Sequence, residues 1–238
     1  MQEEIQIQVE EQPTWSVPWS QRDVWFGVGS LILYIGIVMG AAALVGKLDI
    51  PMDIGFFIMF AELLLMVPVW FFTIHKYKIS WREVGFRKFS PVYLLVGIVL
   101  MFAYMIFNGI FNFVLIQITG KPIQGDVLEA LSQINWSIWL WIGGAFAAPV
   151  VEEAFFRGFV FGGLKGHMDW KWAALISSFL FGIMHADLTT LLPATIIGFC
   201  FAYLYQKSNS IWPGIIIHIT NNALAFCAIS LLMKLGQL

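Results

Sequence analysis

Apolar residues come in seven long runs, each bounded by charge or by Gly and Pro. They are Val24 to Val45, Ile54 to Ile74, Val92 to Ile118, Trp136 to Leu164, Trp172 to His185, Thr190 to Tyr205 and Ile211 to Met233. A helix that crosses a bilayer needs roughly 20 mostly apolar residues, so this pattern predicts an all-α, polytopic transmembrane bundle of about seven or eight membrane helices. The fourth run contains Pro149 and is predicted to kink or divide. The chain reads as an N-terminal tail over residues 1–23 and a single transmembrane domain over 24–238, with its core at about 135–233. The tail carries Glu3, Glu4, Glu10 and Glu11 rather than the basic start and short apolar core of a cleavable signal, so the first run is expected to stay as an anchor.

Composition strengthens this picture. The 238 residues are 59% hydrophobic and only 12% charged, against about 25% charged in soluble domains. The formal charge of -2 offers no basic surface for nucleic acid, so the expected partners are membrane lipid and a membrane protein or peptide. Cys200 and Cys227 both fall in apolar runs and read as small packing residues. Basic residues are unevenly spread. Arg22, Lys76, Lys78, Arg82, Arg87, Lys88, Lys165, Lys171 and Lys207 fall on one side of the predicted bundle, and Lys47, Lys121 and Lys234 on the other. The positive-inside bias then puts the N-terminus in the cytoplasm, in the plasma membrane by expectation, and an odd helix count puts the C-terminus outside.

Polar groups inside the apolar runs carry the chemistry, because an ionisable side chain at the bilayer centre costs on the order of 3 kcal/mol. Val150-Val151-Glu152-Glu153-Ala154-Phe155-Phe156-Arg157 holds two carboxylates and a guanidinium, Phe181-Gly182-Ile183-Met184-His185 a histidine, and His218-Ile219-Thr220-Asn221-Asn222 a histidine and two amides. Glu153 and Arg157 stand i, i+4 in the favourable order and are predicted to pair. Glu152, turned about 100° away, is predicted to face a cavity without sharing a partner with Glu153. His218 and Asn222 share a face, and Phe181 lies one turn before His185 as a packing neighbour. A rise of about 1.5 Å per residue puts Glu152 ~18 Å, His185 ~20 Å, Asn222 ~17 Å and His218 ~11 Å from the basic ends of their runs. The groups thus meet at similar depth.

Hydrolysis of a peptide bond needs a base for water, donors for the oxyanion and a proton for the leaving amine. Glu152 suits the base, His185 could hold or polarise the water, and His218 with Asn222 could serve the oxyanion. His-Glu-x-x-His and Gly-x-Ser-x-Gly are both missing, and Asp49, Asp53, Asp126, Asp169 and Asp187 lie in or beside loops. Zinc held by Glu152, His185 and His218 is the alternative to metal-free water activation, which is preferred.

The ordered set Glu-Glu-x-x-x-Arg, Phe-x-x-x-His and His-x-x-x-Asn, each in an apolar run, resembles the CAAX-protease and bacteriocin-processing family (CPBP, or Abi). The linker Ile79 to Arg87 resembles the family's stretch before its core. The resemblance implies a helical intramembrane endopeptidase with Glu152 as general base, and His185, His218 and Asn222 around the water and oxyanion. It covers relatives that trim prenylated CAAX proteins and others tied to bacteriocin immunity, so a non-catalytic immunity or scaffold protein is the alternative. A proton-coupled transporter using Glu152, Glu62 and the histidines is a third reading, weakened by the lack of a repeated half. Other features read as structural. The Glu153–Arg157 pair fixes the helix, Asn108 and Asn112 join helices, and Gly158, Gly162 and Gly163 permit close packing. Trp136, Trp139 and Trp141 suggest an interfacial belt, and His75 and His167 loop or interface positions.

Overall fold

A computed structural model describes residues 17–120, 122–123, 136–185 and 187–236. Most of the acidic tail, Lys121 and Asp126 lie outside the described residues. Every regular element described is a helix: α1 (Gln21–Lys47), α2 (Ile54–His75), the short α3 (Trp81–Val84), α4 (Val92–Thr119), α5 (Ile138–Leu164), α6 (Trp170–Met184), α7 (Leu188–Ser208) and α8 (Trp212–Lys234). Six are long and apolar enough to cross a membrane, and α6 is a shorter apolar helix of 15 residues. All seven predicted runs are therefore helices, with ends within three residues of the apolar boundaries.

Side-chain caps set several of these ends. Ser20 and Asp23 form a capping box at the start of α1, Asp53 caps α2, Ser80 and Glu83 box α3, and Asp169 and Asp187 cap α6 and α7. Those loop aspartates are thus spent on unpaired helix N–H groups. Pro149 does not divide α5. It follows a π-helical stretch, Trp141–Ala147, and a second such stretch, Glu153–Phe161, follows the acidic motif.

The predicted boundary at Val24 falls inside α1, and residues before it belong to the packed structure. Trp19 is buried and its indole N–H donates to the Phe159 carbonyl at 3.0 Å. Asp23 is buried and pairs with Lys76 and the Tyr77 hydroxyl, tying the start of α1 to the end of α2. At the same end of the bundle the Tyr205 hydroxyl donates to the Val84 carbonyl at 3.4 Å, and the Ile211 N–H to the Gly85 carbonyl at 2.9 Å. The helix ends gathered here are those that carry the larger basic group, so the charge asymmetry is a property of the folded molecule.

The core sits on α5, which is flanked by α2, α6, α7 and α8. A Cβ added to Gly55 would fall 2.2 Å from the Leu140 backbone nitrogen, and one added to Gly143 would fall 3.1 Å from Met59 Cα. These glycines let α2 and α5 run side by side at backbone contact. Gly158 and Gly163 serve the same end: their absent Cβ atoms would meet the Val84 carbonyl and the Trp19 indole, each at 2.6 Å.

Candidate active site

Glu152 closes the α-helical segment Ala148–Glu152, and Glu153 opens the wider π-helical turn that follows. Such widened turns are rare and often lie at functional sites. His218 of α8 reaches both carboxylates: its Nδ1 is 3.3 Å from Glu153 Oε1 and its Nε2 is 3.6 Å from Glu152 Oε2. This corrects the expectation that neighbouring glutamates cannot share a partner. The two nitrogens lie on different edges of one flat ring, so a single imidazole spans the angle between adjacent helix positions.

Glu153 and Arg157 pair as their spacing predicts, with Nη1 and Oε1 2.9 Å apart and both side chains almost wholly buried. The guanidinium lies against the rings of Phe156, Phe181 and Phe201, with centroids 5.9, 4.5 and 5.3 Å from its carbon. Paired in this way, Glu153 is an acceptor only, so the His218 nitrogen facing it is the one that carries hydrogen. Nε2 is left turned towards Glu152. Glu152 is the more open of the two carboxylates, at 18% side-chain exposure against 1% for Glu153. At 3.6 Å this contact is too long for a direct hydrogen bond.

His185 follows the last turn of α6, where its Nδ1 is 2.9 Å from the Phe181 carbonyl. A carbonyl can only accept, so Nδ1 donates and Nε2 keeps its lone pair. The Phe181 ring stands between the two histidines, 4.7 Å from His185 and 5.8 Å from His218, and Phe201 stacks on His218 at 4.9 Å. Phe181 is therefore more than a neighbour of His185. It spaces the two imidazoles and covers the guanidinium.

Asn222 is placed differently from its sequence-based role. Its amide donates to the Gly144 carbonyl of α5 at 3.1 Å. In the π-helical stretch the Ala148 N–H bonds Gly143, so the next N–H in that spacing, for Gly144, would come from Pro149, which has none. Asn222 supplies the missing donor from across the bundle.

Other polar residues sort themselves by contact. Glu62 of α2 and Tyr34 of α1 lie within electrostatic range of Glu152, which places Glu62 beside the site. Asn112 accepts the Ile123 N–H at 2.8 Å. Trp136 and Trp141 pack with Phe226 of α8, whereas Trp139 is 40% exposed in the manner of a belt residue. His75 stacks on Phe71, and His167 lies in the turn after α5. The Asp23–Lys76 pair escaped the sequence reading, because its members are 53 residues apart and Asp23 sits before the first apolar run.

As a test for zinc, the donor set does not fit. Among the described residues no three His, Cys, Asp or Glu side chains are grouped closely enough to hold a metal ion. One His218 nitrogen is already committed to Glu153.

Comparison with known proteins points the same way as the motifs. A family model described as "Type II CAAX prenyl endopeptidase Rce1-like" matches residues 134–224. The chain is 43% identical over 81 residues to "Putative membrane peptidase YdiL" of Bacillus subtilis (strain 168), covering 34% of this chain and 33% of that protein. It is 36% identical over 85 residues to "UPF0177 protein YxdF" of Lactococcus lactis subsp. lactis (strain IL1403), covering 35% of this chain and 46% of that one. The chain thus matches about a third and under half of these relatives' lengths. No solved structure matches. Glu152, His185 and His218 all lie inside the matched stretch, and over residues 134–224 the chain is similar to Rce1-like CAAX prenyl endopeptidases.

Proposed function

We propose that this protein is an intramembrane endopeptidase that hydrolyses peptide bonds of membrane-associated proteins or peptides, CAAX-type prenylated chains among them. The observation that carries this reading is His218, held between a buried, arginine-paired Glu153 and the more open Glu152.

Each group then has a task. Glu152 accepts a proton from a water held against it and His218 Nε2, and the resulting hydroxide attacks the scissile carbonyl carbon. Glu153, paired with Arg157, orients His218 through Nδ1 and stabilises its imidazolium as carboxylates do in hydrolytic triads. The proton taken up by Glu152 passes through His218 Nε2 to the leaving amine, so no net charge is left in the site. His185, with its Nδ1 donating to Phe181, turns Nε2 to the water or the developing amine. Asn222 acts by position: it holds α8, which carries His218, to α5, which carries both glutamates. No step passes through a metal.

The uneven spread of basic residues supports an N-terminus in the cytoplasm, in the plasma membrane, with the C-terminus on the far side. The test is cleavage, in lipid, of CAAX-ending peptides with and without a prenyl group and of unmodified membrane peptides. Wild type and Glu152→Gln are compared, and zinc is assayed on the same samples. The reading expects product from the wild type and a loss of about 10² to 10⁴ in rate for Glu152→Gln at unchanged expression. Equal cleavage by both, or zinc bound one to one, would defeat it. Equal cellular function of both would favour the scaffold alternative.

A further inference from the structure

The linker between α2 and α4 plays no part in the proposed chemistry, yet it is fixed more firmly than a connector requires. Four hydrogen bonds pin residues 84–87 to the end of α7 and the turn that leads into α8. The Tyr205 hydroxyl donates to the Val84 carbonyl at 3.4 Å, and the Ile211 N–H to the Gly85 carbonyl at 2.9 Å. The Ser210 hydroxyl donates to the Arg87 carbonyl at 2.6 Å, and Arg87 Nη1 to Asn209 Oδ1 at 3.0 Å. Gly85 makes this possible with φ of 121°, a backbone that residues with a side chain rarely adopt. A Cβ there would also press on Tyr205 and Ile211.

The linker and the turn together enclose a cavity of about 710 Å³, lined by Arg82, Arg87 and Lys88 with Glu83, Phe86 and the Ser208–Asn209 turn. Three of these side chains are cations and one is an anion. The anion, Glu83, is tied into the capping box of α3, where it accepts both the backbone N–H and the hydroxyl of Ser80, and it also lies within range of the Arg87 charge. Those bonds hold its carboxyl below the usual range, so Glu83 stays ionised and engaged with its own helix start. Arg87 is oriented by its bonds to Asn209 and to the Arg82 carbonyl, the latter at 2.7 Å. Arg82 and Lys88 stand exposed at the mouth.

The height of this cavity in the membrane is set by aromatic rings. Phe86 packs edge-on against Trp81 and Trp212, with centroids 5.8 and 5.6 Å away, and the two tryptophans are 37% and 39% exposed. Partly exposed tryptophans at helix ends settle at the headgroup layer. The cavity therefore opens where lipid phosphates lie, at the end of the bundle that gathers most of the basic residues.

We infer that the Arg82–Arg87–Lys88 cavity binds the phosphate of an anionic membrane lipid, with Arg87 as the fixed donor and Arg82 and Lys88 closing over the headgroup. Basic pockets at this level of a helical membrane protein suit such headgroups, and guanidinium groups match phosphate oxygens in pairs. Glu152 and His218 have no part in it, so it stands or falls apart from the proteolytic reading.

The experiment uses the full chain in nanodiscs of phosphatidylcholine containing a minority of phosphatidylglycerol. Lipids retained after transfer to detergent are identified by native mass spectrometry. The wild type is expected to retain phosphatidylglycerol over phosphatidylcholine. Combining Arg82→Ala with Lys88→Ala should lower that retention about thirtyfold and Lys88→Gln alone about fivefold, from the usual contribution of a basic side chain beside a headgroup. Arg22→Ala with Lys78→Ala, at the same end but outside the cavity, should leave it unchanged. Arg87 is kept because it also pins the linker, and thermal unfolding checks that each variant is folded. Unchanged retention in the Arg82 and Lys88 variant, or an equal loss in the Arg22 and Lys78 control, would overturn the proposal. Displacement of the lipid by millimolar inorganic phosphate would assign the cavity to a free anion and overturn the lipid reading.

Discussion

The two halves of the bundle treat their apolar residues differently. In α1 and α4, 6% and 11% of the most apolar window is buried in the protein, whereas in α5 and α7 half of it is. The first pair are membrane-facing helices whose composition answers mainly to lipid. The second pair have half of that window covered by protein, and α5 can therefore hold Glu153 and Arg157, with His218 beside them, where water is scarce. An apolar run alone does not separate these cases. The polar residues inside it do, since in lipid they would stand unsatisfied.

The contrast can be broken most severely at the buried ion pair. Glu153→Ala would leave Arg157 uncompensated among three aromatic rings and take the orienting partner from His218. A loss of about 3–5 kcal/mol in stability is expected, read as a lowered unfolding midpoint in detergent, with activity lost alongside it. Glu152→Gln, at the more open carboxylate, should leave the unfolding midpoint close to that of the wild type. If the two variants unfold alike, the distinction between support and chemistry fails.

Asn222→Ala should cost about 1–3 kcal/mol, because the Gly144 carbonyl loses its donor in a dry environment. It should reduce cleavage only in part. A loss as large as that of Glu152→Gln at full stability would restore the oxyanion role that the sequence suggests.

Glycines sharpen the comparison further. Gly163→Ala places a methyl 2.5 Å from Val24 and 2.6 Å from the Trp19 indole and should destabilise by about 1–3 kcal/mol. Gly40→Ala on the lipid-facing α1 meets nothing within 4 Å and should be neutral or stabilising by up to about 1 kcal/mol. Thermal unfolding of both variants checks this.

The last effect is one of pH. Lys165, just beyond α5, hydrogen-bonds Gln206 and lies over the rings of Phe161 and Tyr205. Burial, with a smaller push from Arg87's charge, brings its ammonium down to about 7 from 10.5. The unfolded chain then holds more protons than the folded one between these values, so stability rises as pH rises from about 7 towards 10.5. Lys165→Met should flatten that rise.

Much of this was legible in the sequence, for identifiable reasons. Helix ends follow apolar runs, so Val92–Thr119 and Trp212–Lys234 were readable almost to the residue. The Glu153–Arg157 pair follows from one turn of helix. What could not be read depends on departures from regular helix or on distant partners. The widened turn at Glu153–Phe161 and the two edges of an imidazole let His218 reach both glutamates. The demand of Gly144 for a donor depends on a π-helical spacing that only the fold displays. Asp23 and Lys76 meet, and Glu62 comes within electrostatic range of Glu152, only when the helices assemble.

The central claim is that Glu152 and His218 work on one water as a unit. It is tested most directly by single-turnover cleavage in lipid with Glu152→Gln, His218→Gln and the two combined. If they share one step, the double variant should be no slower than the worse single variant, within about threefold. Losses that multiply would show two independent contributions and contradict the account.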